Sequence, residues 1–468
     1  MIILQDKDKS MASERLGTHP IFPLMVKLAI PSVIAMAIQA LYNVVDSIYV
    51  GQLSKEALSA LSITFPVQLV LIGVAVGTGI GASSLISRLL GSSERERAAN
   101  VAEHVILVSF IYGLLGVITG ILFSKPLMQA FTDTPELIEE GSRYIRIILI
   151  GSVAMFIPMI CNNILRGQGN AMIPMYTMLI GSVLNIILDP FFIFGIWIFP
   201  RWGVAGAAFA TVLSRIISGG FIIYILFSDK NELKMNIRMF KLDFSILGQV
   251  YKVGFPSMLM QLLASFALAG MNKILASFSD TAIAAAGIYF RLQSFVFMPV
   301  FGLTQSYMPI MGYNYANGNW ERIKKTMKYA FILAFAFTAL GLVIFQSTPG
   351  GLIRMFNTDA ELVSIGIRAL RVISITFPIA GPTILASTTF QSFGKGFPGL
   401  VLALLRMLVL LLPLMYLFGV NFGLDGVWFA FPVTELLSAA AAWIWLIQTL
   451  RKSMHKEIIT DFTSEKLA

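Results

Sequence analysis

Charge is what this sequence has least of. Only 13% of its 468 residues are Asp, Glu, Lys or Arg, about half the ~25% of an ordinary soluble protein. A water-facing surface cannot be covered with so few charges, which excludes a soluble enzyme, a nucleic-acid-binding module and a disordered chain. The lone cysteine, Cys161, excludes an internal disulfide framework. Three histidines at positions 19, 104 and 455 lie too far apart to form a metal-ligand cluster. The first twenty residues mix Asp6, Lys7, Asp8, Lys9, Glu14 and Arg15 with polar letters and hold no apolar signal core. No cleavable signal peptide is expected there, and that end is expected in the cytoplasm.

What is abundant is hydrophobicity: 57% of residues are apolar and mean hydropathy is +0.80. The apolar letters form continuous blocks near the ~20 residues of a membrane-crossing helix, without the two-residue alternation of barrel strands. Blocks fall near 24–50, 57–87, 101–123, 144–165, 172–198 and 204–228, then 249–278, 281–311, 327–347, 364–388, 397–419 and 425–449. The expected fold is all-α, with 12 transmembrane helices in two pseudo-symmetric six-helix lobes. The boundaries are an N-terminal segment 1–23, an N-lobe 24–228, a linker 229–246, a C-lobe 247–450 and a tail 451–468.

Thirty-four Lys and Arg against 25 Asp and Glu give a formal charge of +9. The basic residues sit between apolar blocks, as the positive-inside bias requires, so nucleic acid is not an expected partner. With the N-terminus inside, the inner loops carry Arg88, Arg95, Arg97, Arg166, the linker, Arg322, Lys324, Lys325, Lys328, Lys395, Arg451, Lys452 and Lys456. Outer loops carry Asp133, Glu136, Glu139, Glu140, Asp280, Asp359, Glu361 and Asp425, outvoting Arg143, Arg201 and Arg354. Both termini are expected to be cytoplasmic, in a multi-pass plasma (inner) membrane protein.

The halves repeat at an offset of about 225. Pro31-Ser32 aligns with Pro256-Ser257, and Phe131, Glu136, Arg143 and Arg146 align with Phe356, Glu361, Arg368 and Arg371. At 227, Gly91 aligns with Gly318 and Gly167-Gln168-Gly169 with Gly394-Lys395-Gly396. Gly203-Val204-Ala205-Gly206 aligns with Gly423-Leu424-Asp425-Gly426. Six spans per half make this a parallel repeat about the membrane normal, the construction of a transporter around a central site.

An ionisable side chain at bilayer depth costs at least ~2.5–3.5 kcal/mol on insertion scales, which makes each a functional candidate. In the first span Gln39, Tyr42, Asn43 and Asp46 fall on one helix face, and in the fifth Asn185 and Asp189 are four apart. Asn162 and Asn163 end the fourth span; Thr211 and Ser214 lie within the sixth. Two carboxylates among amide and hydroxyl oxygens can hold Na⁺ or share and release a proton. Structural alternatives stand beside this: Asp46 as a helix cap, Asp189 as a turn before Pro190, the stripe as a polar seam. The seventh and tenth spans carry no acid, and Met271 stands where the offset would place one, so ion chemistry is expected in one lobe only. Lys273 can snorkel. Gly73, Gly77 and Gly81 give a small-residue packing stripe, while Met155, Met172, Met175 and Met258 could line an adaptable cavity. No nucleophile elbow, P-loop or zinc-protease motif occurs, so no enzyme and no cofactor is expected.

These stretches resemble the multidrug and toxic compound extrusion (MATE) family over nearly the whole chain. The resemblance rests on Pro31-Ser32 through Tyr42-Asn43 and Asp46 to Gly51, on Asn162-Asn163 through Arg166-Gly167-Gln168-Gly169, on Asn185 through Asp189-Pro190, and on Gly203 through Thr211. It implies two lobes in a V that open alternately and expel cationic amphiphilic drugs against H⁺ or Na⁺ influx. It places Asp46, Asn185, Asp189 and Thr211 at the coupling-cation site, with H⁺ or Na⁺ as coupling ion. Gln39, Tyr42, Asn162 and Asn163 fall around the substrate cavity, and Pro31 at a helix hinge. The missing C-lobe acids favour the DinF-like branch over the NorM-like one. The expected partners are small cationic substrates and the lipid bilayer, for a monomeric chain. The alternative is a lipid-linked oligosaccharide flippase of the related superfamily, which needs a basic cavity; the deep charges read here as acidic.

Overall fold

The computed structural model describes residues 11–229, 231–236 and 240–465, apart from the side chains of 55, 56, 58 and 455–465. Residues 1–10 of the N-terminal segment, Lys230 and Arg238 of the linker, the Lys456 side chain and the last three tail residues therefore lie outside the description. Every regular element among the described residues is helical. A short α1 (Ala12–Thr18) precedes α2 (Ile21–Gly51), α3 (Lys55–Gly91) and α4 (Arg95–Gln129). Next come α5 (Pro135–Ile150), α6 (Ser152–Gly167), α7 (Met172–Phe194) and α8 (Val204–Phe227). The second half runs α9 (Phe244–Ala276), α10 (Asp280–Ala316), α11 (Trp320–Ser347), α12 (Pro349–Arg354), α13 (Ala360–Ser374) and α14 (Phe377–Ser392). It ends with α15 (Gly396–Leu404), a π-helical stretch Leu405–Leu411, and α16 (Leu412–Glu465).

Among the described residues, twelve spans result. Eight helices cross singly, while α5 with α6 and α13 with α14 are single spans bent by 52° and 55°. The sequence blocks 144–165 and 364–388 gave no sign of these bends. The apolar stretch Gly396–Met454 is divided at Gly423 (φ 65, ψ −156) into the eleventh and twelfth spans.

The repeat is visible in the backbone. Ser54 caps α3 by accepting from the Ala57 amide at 3.0 Å, and Ser279, 225 residues on, caps α10 from Ala282 at 3.0 Å. Left-handed residues recur at Ser93 and Gly318, Gly169 and Gly394, Gly203 and Gly423. The first two pairs keep the 225 offset. The 227 alignment of Gly91 with Gly318, and of Gly169 with Gly396, is thus corrected: it matched glycines by letter, not by backbone role.

The halves meet through small residues. A Cβ on Gly77 would lie 2.7 Å from the Gly254 carbonyl oxygen, and one on Gly73 3.6 Å from Gln261, so α3 and α9 touch along the expected glycine stripe. Polar contacts across the halves gather toward the end bearing Arg88, Arg322 and Lys395. Ser84 Oγ donates to the Gln391 carbonyl at 2.5 Å, and Tyr112 and Tyr251 share a hydroxyl contact. The N-terminal segment also joins there. Leu16 is fully buried, its carbonyl accepts from Asn314 at 2.9 Å and Arg322 at 3.1 Å, and Glu14 pairs with Arg95 at 2.9 Å.

Candidate functional site

A cavity of about 330 Å³ opens among the helices of the first half, with Gln305 of α10 reaching in from the second. Gln39 and Tyr42 of α2, Asn162 and Asn163 of α6, Asn185 of α7 and Thr211 of α8 all line it, so six of the expected site residues share one space. Helical spacing explains part of this: Gln39 and Tyr42, three apart, share one face of α2. Asn43 departs from the expected stripe; it is exposed and outside the wall. Met155 lines the cavity with Met36, Met159 and Met178, whereas Met172 and Met175 do not, and Met258 packs against Gly77 between α3 and α9.

Asp46 and Asp189 are set behind this wall. Asn185 joins the pieces: its Nδ2 donates to Asp189 Oδ1 at 3.1 Å and to Thr211 Oγ1 at 3.3 Å. Asp189 is fully buried and Asn185 nearly so. Asp46 Oδ1, Asp189 Oδ2 and Asn185 Oδ1 are buried without a partner. Buried polar atoms are normally satisfied, and each of these three orphaned oxygens can accept a proton or ligate a hard cation. Asp46 and Asp189 lie within electrostatic range of each other, and Arg215 lies within range of Asp46. Tyr144 of α5, nearly fully buried, lies in the field of both aspartates.

The structural alternatives for the aspartates fail. Asp46 lies toward the C-terminal end of α2, where the unpaired backbone groups are carbonyls that a carboxylate cannot cap. Asp189 is no terminal turn, because α7 continues through Pro190 to Phe194; the ring leaves only the Ile186 carbonyl without its helical donor. Helix α2 likewise runs unbroken through Pro31.

Two arginines correct the sequence reading. Arg166, assigned to an inner loop, ends α6 in the cavity wall, with Nη1 donating to Gln305 Oε1 at 3.4 Å and Nε buried without a partner. Arg215, unremarked in the sequence, lines the cavity beside Ser214 and Ser218. The deep charges are therefore not simply acidic: guanidiniums stand at the surface and carboxylates behind. Nor is the first half the only place with buried ionisable groups, since Arg406 pairs with Glu435 at 2.7 Å in the second.

Comparison with known proteins places this arrangement. The MatE family model matches residues 31–191 and again 256–417, the two matches starting 225 residues apart. The multidrug export protein MepA of Staphylococcus aureus is 29% identical over 90% of this chain and 93% of its own length. An outward-facing multidrug resistance MATE transporter of the MOP superfamily superposes with a TM-score of 0.89 at 29% identity, covering 95% of this chain and 99% of that one. A MOP superfamily transporter from Pyrococcus furiosus, described as having a binding pocket of reverse polarity, gives 0.88 at 29% identity and the same coverage. With one family model matching both halves, and a fold shared over nearly its full length, this chain belongs to the MatE family of membrane transporters.

Proposed function

We propose that this transporter is a multidrug efflux antiporter of the DinF-like branch. It exports small hydrophobic and cationic compounds across the plasma membrane in exchange for H⁺, or for Na⁺, by alternating access of lobes 24–228 and 247–450. The single observation that carries this is the cluster of orphaned oxygens on Asp46, Asp189 and Asn185 beside a methionine-rich cavity. Asp46, Asn185, Asp189 and Thr211 hold the coupling ion; Gln39, Tyr42, Asn162 and Asn163 contact substrate; Pro31 is the hinge.

The arginines supply a mechanism for release. With both aspartates ionised, their charges balance Arg166 and Arg215, and an amphiphilic cation binds through the apolar and amide wall. Protonating both aspartates leaves two uncompensated guanidiniums, which repel the cation toward the open side. Na⁺ at the same oxygens neutralises the carboxylates in the same sense. Efflux of a fluorescent cation from vesicles, under separately imposed pH and Na⁺ gradients, tests this: one gradient alone should drive export. Export under neither removes the reading.

A flippase for a lipid-linked anionic headgroup is the second reading, and Arg166 and Arg215 on the cavity wall favour it. The carboxylates behind them favour the antiporter.

Topology follows the basic loops, with both termini and the 229–246 linker in the cytoplasm. Asn236 is exposed, and its amide donates to Glu103 Oε1 at 2.5 Å, a backbone bond that a substitution keeps. Asn236→Cys in intact cells should resist a membrane-impermeant thiol reagent and react after permeabilisation. Labelling from outside reverses the orientation.

A further inference from the structure

The buried pair of the second half has no role in the coupling scheme above. Arg406 lies about 15 Å along the eleventh span from Gly396, and Glu435 about 18 Å along the twelfth from Gly423, at ~1.5 Å per residue. Both are near the middle of a ~30 Å hydrocarbon layer. Their contact is 2.7 Å, with 7% of the Glu435 side chain exposed and 32% of that of Arg406. Arg406 sits on the π-helical stretch Leu405–Leu411, a local widening that recurs at functional positions.

A bidentate arginine–carboxylate pair uses both carboxylate oxygens. Here Oε1 of Glu435 is buried without a partner, and so is the hydroxyl of Tyr289, a residue 1% exposed that lies in the field of both charges. The repeat adds an independent observation. Counting from the left-handed residues Gly203 and Gly423, Ser214 falls on Thr434, Arg215 on Glu435 and Ser218 on Ser438. Arg215, in electrostatic range of Asp46 on α2, and Glu435, paired with Arg406 on the eleventh span, thus hold matching places on the last span of each half, one basic and one acidic.

We propose that Glu435 is a second proton-binding site, in the C-lobe, held ready by Arg406 and Tyr289. A hard metal cation needs six or more oxygen ligands, and the unpartnered oxygens here are Glu435 Oε1 and the Tyr289 hydroxyl. A proton from solvent adds to the free lone pair of Oε1, the carboxylate becomes a neutral carboxylic acid, and Arg406 keeps its charge. The cluster passes from neutral to singly positive, and no other bond is made or broken. Of the elements packed on α16, α14 carries no ionisable residue, α9 has Tyr251, Lys252 and Lys273, all toward its two ends, and Arg368 of α13 is paired with Asp425 at 2.5 Å. α13 also carries Glu361 and Arg371, and α10, which places Tyr289 against Phe431 of α16, carries Arg291. Of these groups, Arg406 is the one in contact with Glu435, and Tyr289 lies in the field of both.

The site is independent of Asp46 and Asp189, and its test is made without them. In lipid-reconstituted Asp46→Asn/Asp189→Asn protein, an acid-minus-alkaline infrared difference spectrum should contain a protonated-carboxyl band from a group protected against deuterium exchange. Adding Glu435→Gln should abolish that band and lower the proton uptake of a pH step by a single proton per chain. Glu435→Asp should keep the band and move it, which covers failure of the Gln variant to accumulate. Spectra that superpose with and without Glu435, or a band unmoved by Glu435→Asp, overturn the proposal and leave an inert interhelical ion pair.

Discussion

Asp46→Asn and Asp189→Asn should each reduce gradient-driven export to the background of empty vesicles, while the protein still inserts and accumulates. Asparagine keeps the size and hydrogen-bonding outline of aspartate, and at 189 it still offers an oxygen to the Asn185 amide, now 3.1 Å away. What it loses is the ability to exchange a negative charge for a proton or to neutralise Na⁺. Because the two carboxylates lie within electrostatic range of each other, and Asp46 within range of Arg215, removing one charge relieves a repulsion and loses an attraction, so thermal stability should change little as transport disappears. That combination separates coupling from folding. Thr211→Ala removes one hydroxyl from a set that keeps its charges, and should weaken export partially. Export of a fluorescent cation by each single variant, normalised to protein in the membrane, is the measurement. Full export by both aspartate variants would remove the N-lobe site from the mechanism.

The aspartates could be found in the sequence because the bilayer makes every internal charge conspicuous, and because Asn185 and Asp189 are spaced for one helix face. The same rule, applied evenly, would have found Arg215, which shares the face of Thr211 and Ser218 at four and three residues. Arg166 was hidden by its neighbours. Gly167-Gln168-Gly169 reads as a loop, so the arginine before it looked like a topology signal, and only the seating of α6 turns it into the cavity. Arg406 and Glu435 lie on different spans, and no local pattern links them until the helices pack. The bends of α5–α6 and α13–α14 were also invisible, since hydropathy is the same in a straight and a broken span. Helix number, the repeat and the glycine stripe depend on composition and period alone, and those were legible.

The sign of the coupling is the sharpest consequence of guanidiniums on the cavity wall with carboxylates behind. A cationic substrate favours the ionised aspartates, and protonation removes the charge that balances Arg166 and Arg215. Linkage then fixes the direction: substrate binding must release protons, and raising pH must tighten substrate affinity. Coupling between two sites is commonly about 1–3 kcal/mol, so the affinity for a fluorescent cation should strengthen about 5–150-fold from about pH 5 to about pH 9. The Asp46→Asn/Asp189→Asn protein should show little of this dependence. If Na⁺ is the coupling ion, added Na⁺ should weaken binding at constant pH, again through Asp46, Asp189, Asn185 and Thr211. We propose H⁺ as the coupling ion, because the seventh and tenth spans carry no acid. An anionic headgroup gives the opposite sign: it is held by Arg166 and Arg215 most strongly when the aspartates are neutral, so acid would tighten it. Equilibrium binding of a cationic and an anionic amphiphile to the purified protein across that range, with and without Na⁺, therefore separates the antiporter from the flippase. Affinity that is flat in pH and indifferent to Na⁺ for both probes would reject any mechanism in which substrate and coupling ion share this lobe.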